Sequence, residues 1–194
     1  PSTRTRISFG SAFNMLGGEV RETTEIEATS LAKGESLYDT SRVLSGYSDV
    51  IVMRHPLAGS VAEFAEASRV PVINGGDGDN EHPSQALLDL FTIKKELESH
   101  NKKLDTVRIA LIGDLKFGRA AHSLCKILML YTNISIKLVS PDKLRLPDFL
   151  INEFKKNNIS ILETQDIKEG IADVDIIYMT RIQEERFKNV SEAN

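Results

Sequence analysis

Apolar and polar residues alternate along this chain in two rhythms. Short runs of consecutive apolar residues recur, and between them lie stretches with apolar positions three or four apart. The second rhythm is that of a helix with one buried face, and the first suits strands of a covered sheet. Residues after "PSTRTR" read as a helix, with Pro1 and Ser2 as start signals, Ile7, Phe9, Phe13 and Leu16 roughly along one side and Gly17-Gly18 as its stop. Residues 19–33 hold no apolar face. "GESLYDTSRVLSGY" predicts a second helix with Leu37, Thr40, Val43 and Leu44 inward. "DVIVMRH" reads as a short buried strand, "SVAEFAEAS" as a helix and "VPVIN" as a strand. "GGDGDNEHP" reads as a loop by composition.

Beyond it, "SQALLDLFTIKKELES" places Ala86, Leu90, Ile93 and Leu97 on one helical face. "RIALIGD", "SIKLVSP", "SILET" and "VDIIYMT" read as strands. "RAAHSLCKILMLY", "PDFLINEFKKNN" and "IKEGIAD" read as the helices between them. Strand–helix alternation of this kind predicts an α/β fold with parallel sheets flanked by helices. Two domains are expected. One spans 1–83, a helix over 84–98 bridges, and the second spans 99–194, opening on the polar connector "SHNKKLD".

Composition narrows the function classes. Net charge is −4 over 194 residues, so the surface as a whole does not suit a nucleic acid. Any anion site must be a local gathering of Arg and Lys. One cysteine, Cys125, rules out an intrachain disulfide and fits a reducing, cytoplasmic setting. No apolar run reaches membrane-spanning length.

The charged residues that break the apolar rhythm fall at strand ends and helix starts. "PSTRTR" sets hydroxyls and Arg4 at a helix start, where free N–H groups and the helix dipole favour an anion. Solvated surface arginines behind a capping serine are an even alternative. Arg54 and His55 close the strand "DVIVM", at the end where open parallel sheets bind ligands. His82 and Gln85 flank Pro83 at the first turn of the long helix. Arg119 opens the helix after "LIGDLKFG", and Arg181 and Gln183 follow the last strand. The acidic run Asp77, Asp79, Glu81 departs from the calcium-loop pattern and reads as a solvated loop. The glycine spacing in "LIGDLKFGR" is wrong for a dinucleotide fingerprint, which disfavours a nucleotide-cofactor enzyme. No nucleophile motif or phosphate-binding P-loop pattern appears. Anion clamps without a covalent nucleophile suit transfer between two bound anions by positioning and electrostatics.

PSTRTR, TSLAKGES, MRHP, NGGDGDNEHPSQALLDLFTI, GDLKFGR and YMTRIQEER together, in this order, resemble the aspartate carbamoyltransferase family. PSTRTR and HPSQ also resemble the sister ornithine family, but LLDLFTI, GDLKFGR and MTRIQEER look like the aspartate branch. The resemblance implies transfer of a carbamoyl group from carbamoyl phosphate to L-aspartate, in pyrimidine synthesis, with no cofactor or metal. It implies that Ser2, Thr3, Arg4, Thr5 and Ser30 hold the phosphate. Arg54, Thr5 and His82 would point donors at the carbamoyl oxygen, and Gln85 would hold the carbamoyl amino group. Arg119, Arg181 and Gln183 would hold aspartate, with Lys33 reaching both substrates. It further implies a homotrimer with shared active sites, and leaves open a regulatory chain. The family's N-terminal helix and strand are missing from these 194 residues, as is the Leu-Pro segment that closes the phosphate site. Two alternatives stay open: an ornithine-type or other amino-acid carbamoyltransferase, and a non-catalytic anion-binding homologue.

Overall fold

The computed structural model describes residues 3–23, 34–131 and 133–182. They form two compact units that divide between Asn80 and Glu81.

In the first unit, helix α1 (Thr3–Met15) is followed by α2 (Leu37–Leu44), strand β1 (Ile51–His55), helix α3 (Ser60–Ala67) and strand β2 (Val72–Asp77). β1 and β2 pair in parallel, with α3 as the crossover. Ser36 caps α2, its hydroxyl accepting from the Asp39 N–H at 3.0 Å. Of the face expected inward on α2, Leu37, Thr40 and Leu44 are half-buried, but the most buried position is a serine. Val43 is exposed and Ser41 is buried, its hydroxyl donating to the Phe64 carbonyl of α3 at 2.6 Å. A small hydroxyl lets the two helices approach where a valine would hold them apart. Along α1, Phe9 and Phe13 are half-buried while Ile7 and Leu16 are exposed, and β1, expected buried, is half-buried. The loop expected from Gly75 also yields in part, since Gly75, Gly76 and Asp77 complete β2.

The second unit runs α4 (Pro83–Ser99), β3 (Arg108–Ile112), α5 (Arg119–Leu128), β4 (Ser135–Val139), α6 (Asp148–Lys156), β5 (Ser160–Thr164), α7 (Ile167–Ile171) and β6 (Ile176–Met179). All four strands are parallel, in the order β5-β4-β3-β6. Central β3 is buried on both faces after Arg108, as its unbroken apolar run requires. Ile109 and Leu111 face a core built with Ile93 and Leu97 of α4, Leu124 and Leu128 of α5, and Leu150 and Phe154 of α6. Ala110 and Ile112 face the other way, with Val139 and Val174. Ala86, Ile93 and Leu97 are buried on α4 as the spacing predicts. Leu87, Leu88 and Phe91 of the same helix are exposed.

The order of strands places one reversal. From β3 the chain moves outward to β4 and β5, then returns to pair β6 on the far side of β3. A crevice opens at such a reversal, beyond the carboxyl ends of the strands. Here those ends are the ones of β3 and β6.

Asp175 anchors the returning strand at its opposite end. Its carboxylate accepts from Lys102 Nζ at 2.5 Å, the Arg108 N–H at 2.9 Å and Arg108 Nε at 3.3 Å. Burial alone would raise its pKa. The hydrogen bonds from Arg108 and Lys102 outweigh burial and hold the carboxyl well below the usual carboxylate range. A depressed carboxyl pKa stabilises the fold above the unfolded value of about 3.9, and that gain is lost as pH falls toward the folded value. Asp175→Ala in the full-length parent is therefore expected to lose about 1.5–3 kcal/mol at pH 7. Denaturant titrations should show parent and variant converging below about pH 4. An equal gap at pH 7 and pH 3 would show that the charge of Asp175 contributes nothing.

Candidate active site

In the first unit, the site is built on a sheet irregularity. β1 and β2 stay in register from Ile51 opposite Val72 to Met53 opposite Asn74, and then His55 meets Asp77. β2 therefore carries one extra residue, so Gly75 and Gly76 together stand against Arg54. Such a bulge re-aims a side chain at a strand end. Arg54 Nη1 donates to Thr5 Oγ1 at 2.9 Å and to the Gly75 carbonyl at 3.3 Å. The strand end and the start of α1 are thus joined through one guanidinium. Gly76 has φ +128°, and a Cβ there would lie 3.2 Å from Arg54 Nη1. Both its backbone angle and its neighbour call for glycine. Asn74 fixes the turn by accepting from the Gly76 N–H at 2.7 Å.

Thr3 and Arg4 lie beside Thr5 in the first turn of α1, both exposed. Their backbone N–H groups are among those a helix start leaves without intrahelical partners. Hydroxyl, guanidinium and helix dipole converge here as a site for an anion needs. Arg6 turns to Glu22 at 3.2 Å instead.

Asp77, expected in a solvated loop, is buried and braces this end of the sheet. It accepts from the Gly59 N–H at 2.9 Å and from Asn80 Nδ2 at 3.1 Å. Burial raises its pKa, but the bonds from Asn80, Gly59 and Val61 and the nearby His55 together leave it lowered. The β1–α3 loop is thereby held as one piece.

In the second unit, His82 and Gln85 stand at the start of α4. The His82 N–H donates to Ser123 Oγ of α5 at 3.0 Å, and the Ser123 hydroxyl donates to Glu81 Oε2 at 2.6 Å. Lys126 pairs with the other oxygen of Glu81. His82 Nδ1 lies 3.4 Å from Ser84 Oγ. One turn on, Gln85 Nε2 donates to Asp89 Oδ1 at 2.8 Å, and the Tyr178 hydroxyl of β6 donates to Asp89 Oδ2 at 2.9 Å.

Arg119 and Arg181 stand at the crevice. Arg119 opens α5 after the loop that follows β3, and Arg181 follows β6. Buried Asp114 shapes the Arg119 loop, accepting from the Phe117 N–H at 2.9 Å. His122 holds the same loop, its Nε2 donating to the Leu115 carbonyl at 2.7 Å. Burial lowers the His122 pKa, so the ring is neutral and Nε2 carries its proton for this bond. Gly113, at φ +111°, lets β3 pass the Thr180 carbonyl, which a Cβ would meet at 2.4 Å. Thr180 Oγ1 bonds the carbonyls of Ile112 and Asp114, both at 3.2 Å. The two arginine-bearing loops are thus stitched together. Cys125 is fully buried in α5, and burial pushes its thiol up to about 12. It is no nucleophile at neutral pH.

Of the residues singled out in sequence, the structure joins Thr5 with Arg54 in the first unit. It sets His82 and Gln85 one turn apart in the second unit, and Arg119 and Arg181 on adjacent loops. Ser2, Ser30, Lys33 and Gln183 lie outside the described residues. Among the described residues no helix is long and apolar enough to cross a membrane.

Comparison with known proteins bears on the same two halves. Residues 1–95 match the model of the aspartate/ornithine carbamoyltransferase carbamoyl-P binding domain. Residues 105–194 match that of the Asp/Orn binding domain of the same family. The chain belongs to the aspartate/ornithine carbamoyltransferase family. Within this family it is 64% identical to the aspartate carbamoyltransferase catalytic subunit of Cellvibrio japonicus, over its whole length and 57% of the relative's. It is 61% identical to that of Saccharophagus degradans, spanning 58% of that chain. The chain thus spans under two thirds of the relatives it matches. The crystallised catalytic subunit of M. jannaschii aspartate transcarbamoylase superposes with a TM-score of 0.89 at 49% identity. That superposition covers 99% of this chain and 61% of the other. Aspartate transcarbamoylase from Trypanosoma cruzi, solved with carbamoyl aspartate and phosphate, gives a TM-score of 0.85 at 42% identity. It covers all of this chain and 60% of that one.

Proposed function

We propose that the protein to which this chain belongs transfers the carbamoyl group of carbamoyl phosphate to L-aspartate. The products are N-carbamoyl-L-aspartate and phosphate, as an early step of pyrimidine synthesis. The observation that carries this reading is the Arg54–Thr5 hydrogen bond across the glycine bulge. It makes one anion cradle of a helix start and a strand end.

In this reading, the N–H groups and hydroxyls of Ser2, Thr3, Arg4 and Thr5, with Ser30, hold the phosphate. Arg54, Thr5 and His82 donate toward the carbamoyl oxygen. Attack by the α-amine puts negative charge on that oxygen, where a fixed donor is worth the most. The carbon–oxygen bond to phosphate then breaks, and its electron pair leaves with the phosphate. Arg4 and Lys33 offset the charge that gathers there. The departing phosphate takes up the amine proton. Arg119, Arg181 and Gln183 hold the two carboxylates of aspartate, one guanidinium suiting each. No covalent enzyme intermediate is required.

The 1–83 and 99–194 divisions would then be the carbamoyl-phosphate and aspartate domains, with 84–98 between them. The protein would be a cytoplasmic homotrimer with Lys33 crossing into the neighbouring subunit's site. A regulatory chain is compatible with this reading.

The test is an assay of the full-length parent with carbamoyl phosphate and either L-aspartate or L-ornithine. Product is expected with aspartate alone. Turnover of ornithine alone would overturn the choice of acceptor. No turnover with either would leave an anion-binding role.

A further inference from the structure

Gln85 is the residue assigned above to the carbamoyl amino group, and a glutamine amide can present either of two chemistries. Its oxygen accepts and its nitrogen donates, and the two ends have nearly the same shape. What the site recognises therefore depends on which end faces the ligand.

The surroundings of Gln85 decide this. Asp89 lies one helical turn on, at the i+4 position where side chains meet. A carboxylate only accepts, so the end of Gln85 bonded to Asp89 at 2.8 Å must be the NH2. Asp89 is not left to rotate. Its second oxygen accepts from the Tyr178 hydroxyl at 2.9 Å, reached from β6 rather than from the same helix. Burial and the charge of Asp89 raise the pKa of the Tyr178 phenol, so it remains protonated as the donor. Among the described residues no hydrogen bond occupies Gln85 Oε1.

We infer that Asp89, steered by Tyr178, is a positioning residue. It locks the Gln85 amide so that the carbonyl oxygen is what the ligand meets, and the site thereby selects a carbamoyl NH2 over a methyl group of the same size. The inference rests on the carbamoyl-phosphate reading of Gln85. Acetyl phosphate is the matching probe, because it replaces that NH2 with CH3. Its transfer follows the same course. The amine bonds the acetyl carbon, the bond to phosphate oxygen breaks, and phosphate leaves with the electron pair and the amine proton.

The full-length parent, Asp89→Asn and Tyr178→Phe are compared at saturating aspartate, with kcat/KM measured for both acyl phosphates. Asn keeps the size of Asp89 but brings its own NH2, which allows the Gln85 amide to reverse. A reversed amide sets NH2 against NH2 for carbamoyl phosphate and changes little for acetyl phosphate. The preference for carbamoyl over acetyl phosphate is expected to fall about tenfold or more in Asp89→Asn. Tyr178→Phe should shift it the same way by less, since the carboxylate stays but loses its steering bond. A merely structural role for Asp89 would lower both rates in proportion. An unchanged preference in both variants overturns the inference. If Asp89→Asn does not fold, Tyr178→Phe, which loses a single hydroxyl, decides alone. A parent with no preference refutes the inference and leaves the transfer reading standing. A parent that uses neither compound removes the transfer reading, and the inference falls with it.

Discussion

Arg54→Ala in the full-length parent is expected to lower kcat by about a thousandfold, with the fold intact. Arg54 is exposed, and its side chain contributes to no core. Stability should change little, on the order of 1–3 kcal/mol, as the exposed guanidinium gives up its bonds to the Thr5 hydroxyl and the Gly75 carbonyl. The loss of rate comes from the transition state. A donor aimed where charge develops helps little in the ground state and most at the barrier, so kcat should fall much more than the affinity for carbamoyl phosphate. Arg54→Lys should recover little, because the shorter side chain does not carry a donor to where Nη1 meets both the Thr5 hydroxyl and the Gly75 carbonyl. Steady-state kinetics with a melting curve for each variant checks this. A kcat within a few-fold of the parent would remove Arg54 from the chemistry.

The second large effect concerns subunits. Lys33→Ala and Arg54→Ala full-length proteins should each be nearly inactive. Mixed, dissociated and reassociated, they should regain activity if the proposed trimer shares its sites. Each hybrid trimer would then hold roughly one site in three with both natural residues, one from either side of an interface. Hybrids as inactive as their parents, with subunit exchange confirmed by mass, would place Lys33 and Arg54 in the same chain's site or outside it altogether.

Much of the fold was legible because its strands are apolar runs and its helices are amphipathic. β3 is the clearest case, its run of apolar residues matching a strand covered on both faces. The charged residues at strand ends were legible for the same reason, since each breaks an apolar run. What stayed hidden was the role of small and acidic residues. Gly75, Gly76 and Asp77 look like loop residues, yet a bulged strand end next to an arginine needs that lack of bulk. Asp77 reads as solvated, and only the fold brings the Gly59 N–H to it. Ser41 reads as polar surface, and only the packing of α3 supplies the Phe64 carbonyl that makes its burial tolerable. Asp89 had a visible cue in its spacing from Gln85. Tyr178 had none, because its partner is distant in sequence and near only through the sheet.

The return of β6 to the side of β3 also bears on how the second unit assembles. Ile109 pairs with Ile136 across one crossover, but with Ile176 only after the chain has passed through β4 and β5. Closing a loop about two and a half times as long costs about 0.8 kcal/mol more in chain entropy, before any contact repays it. Nucleation should thus begin among β3, α5 and β4, with β6 docking late in the order of events. Asp175 precedes that late strand and Tyr178 lies in it, so their contacts would act on the rate of unfolding more than on the rate of folding. Arg181, which directly follows β6, would be carried to the side of the Arg119 loop only at the end.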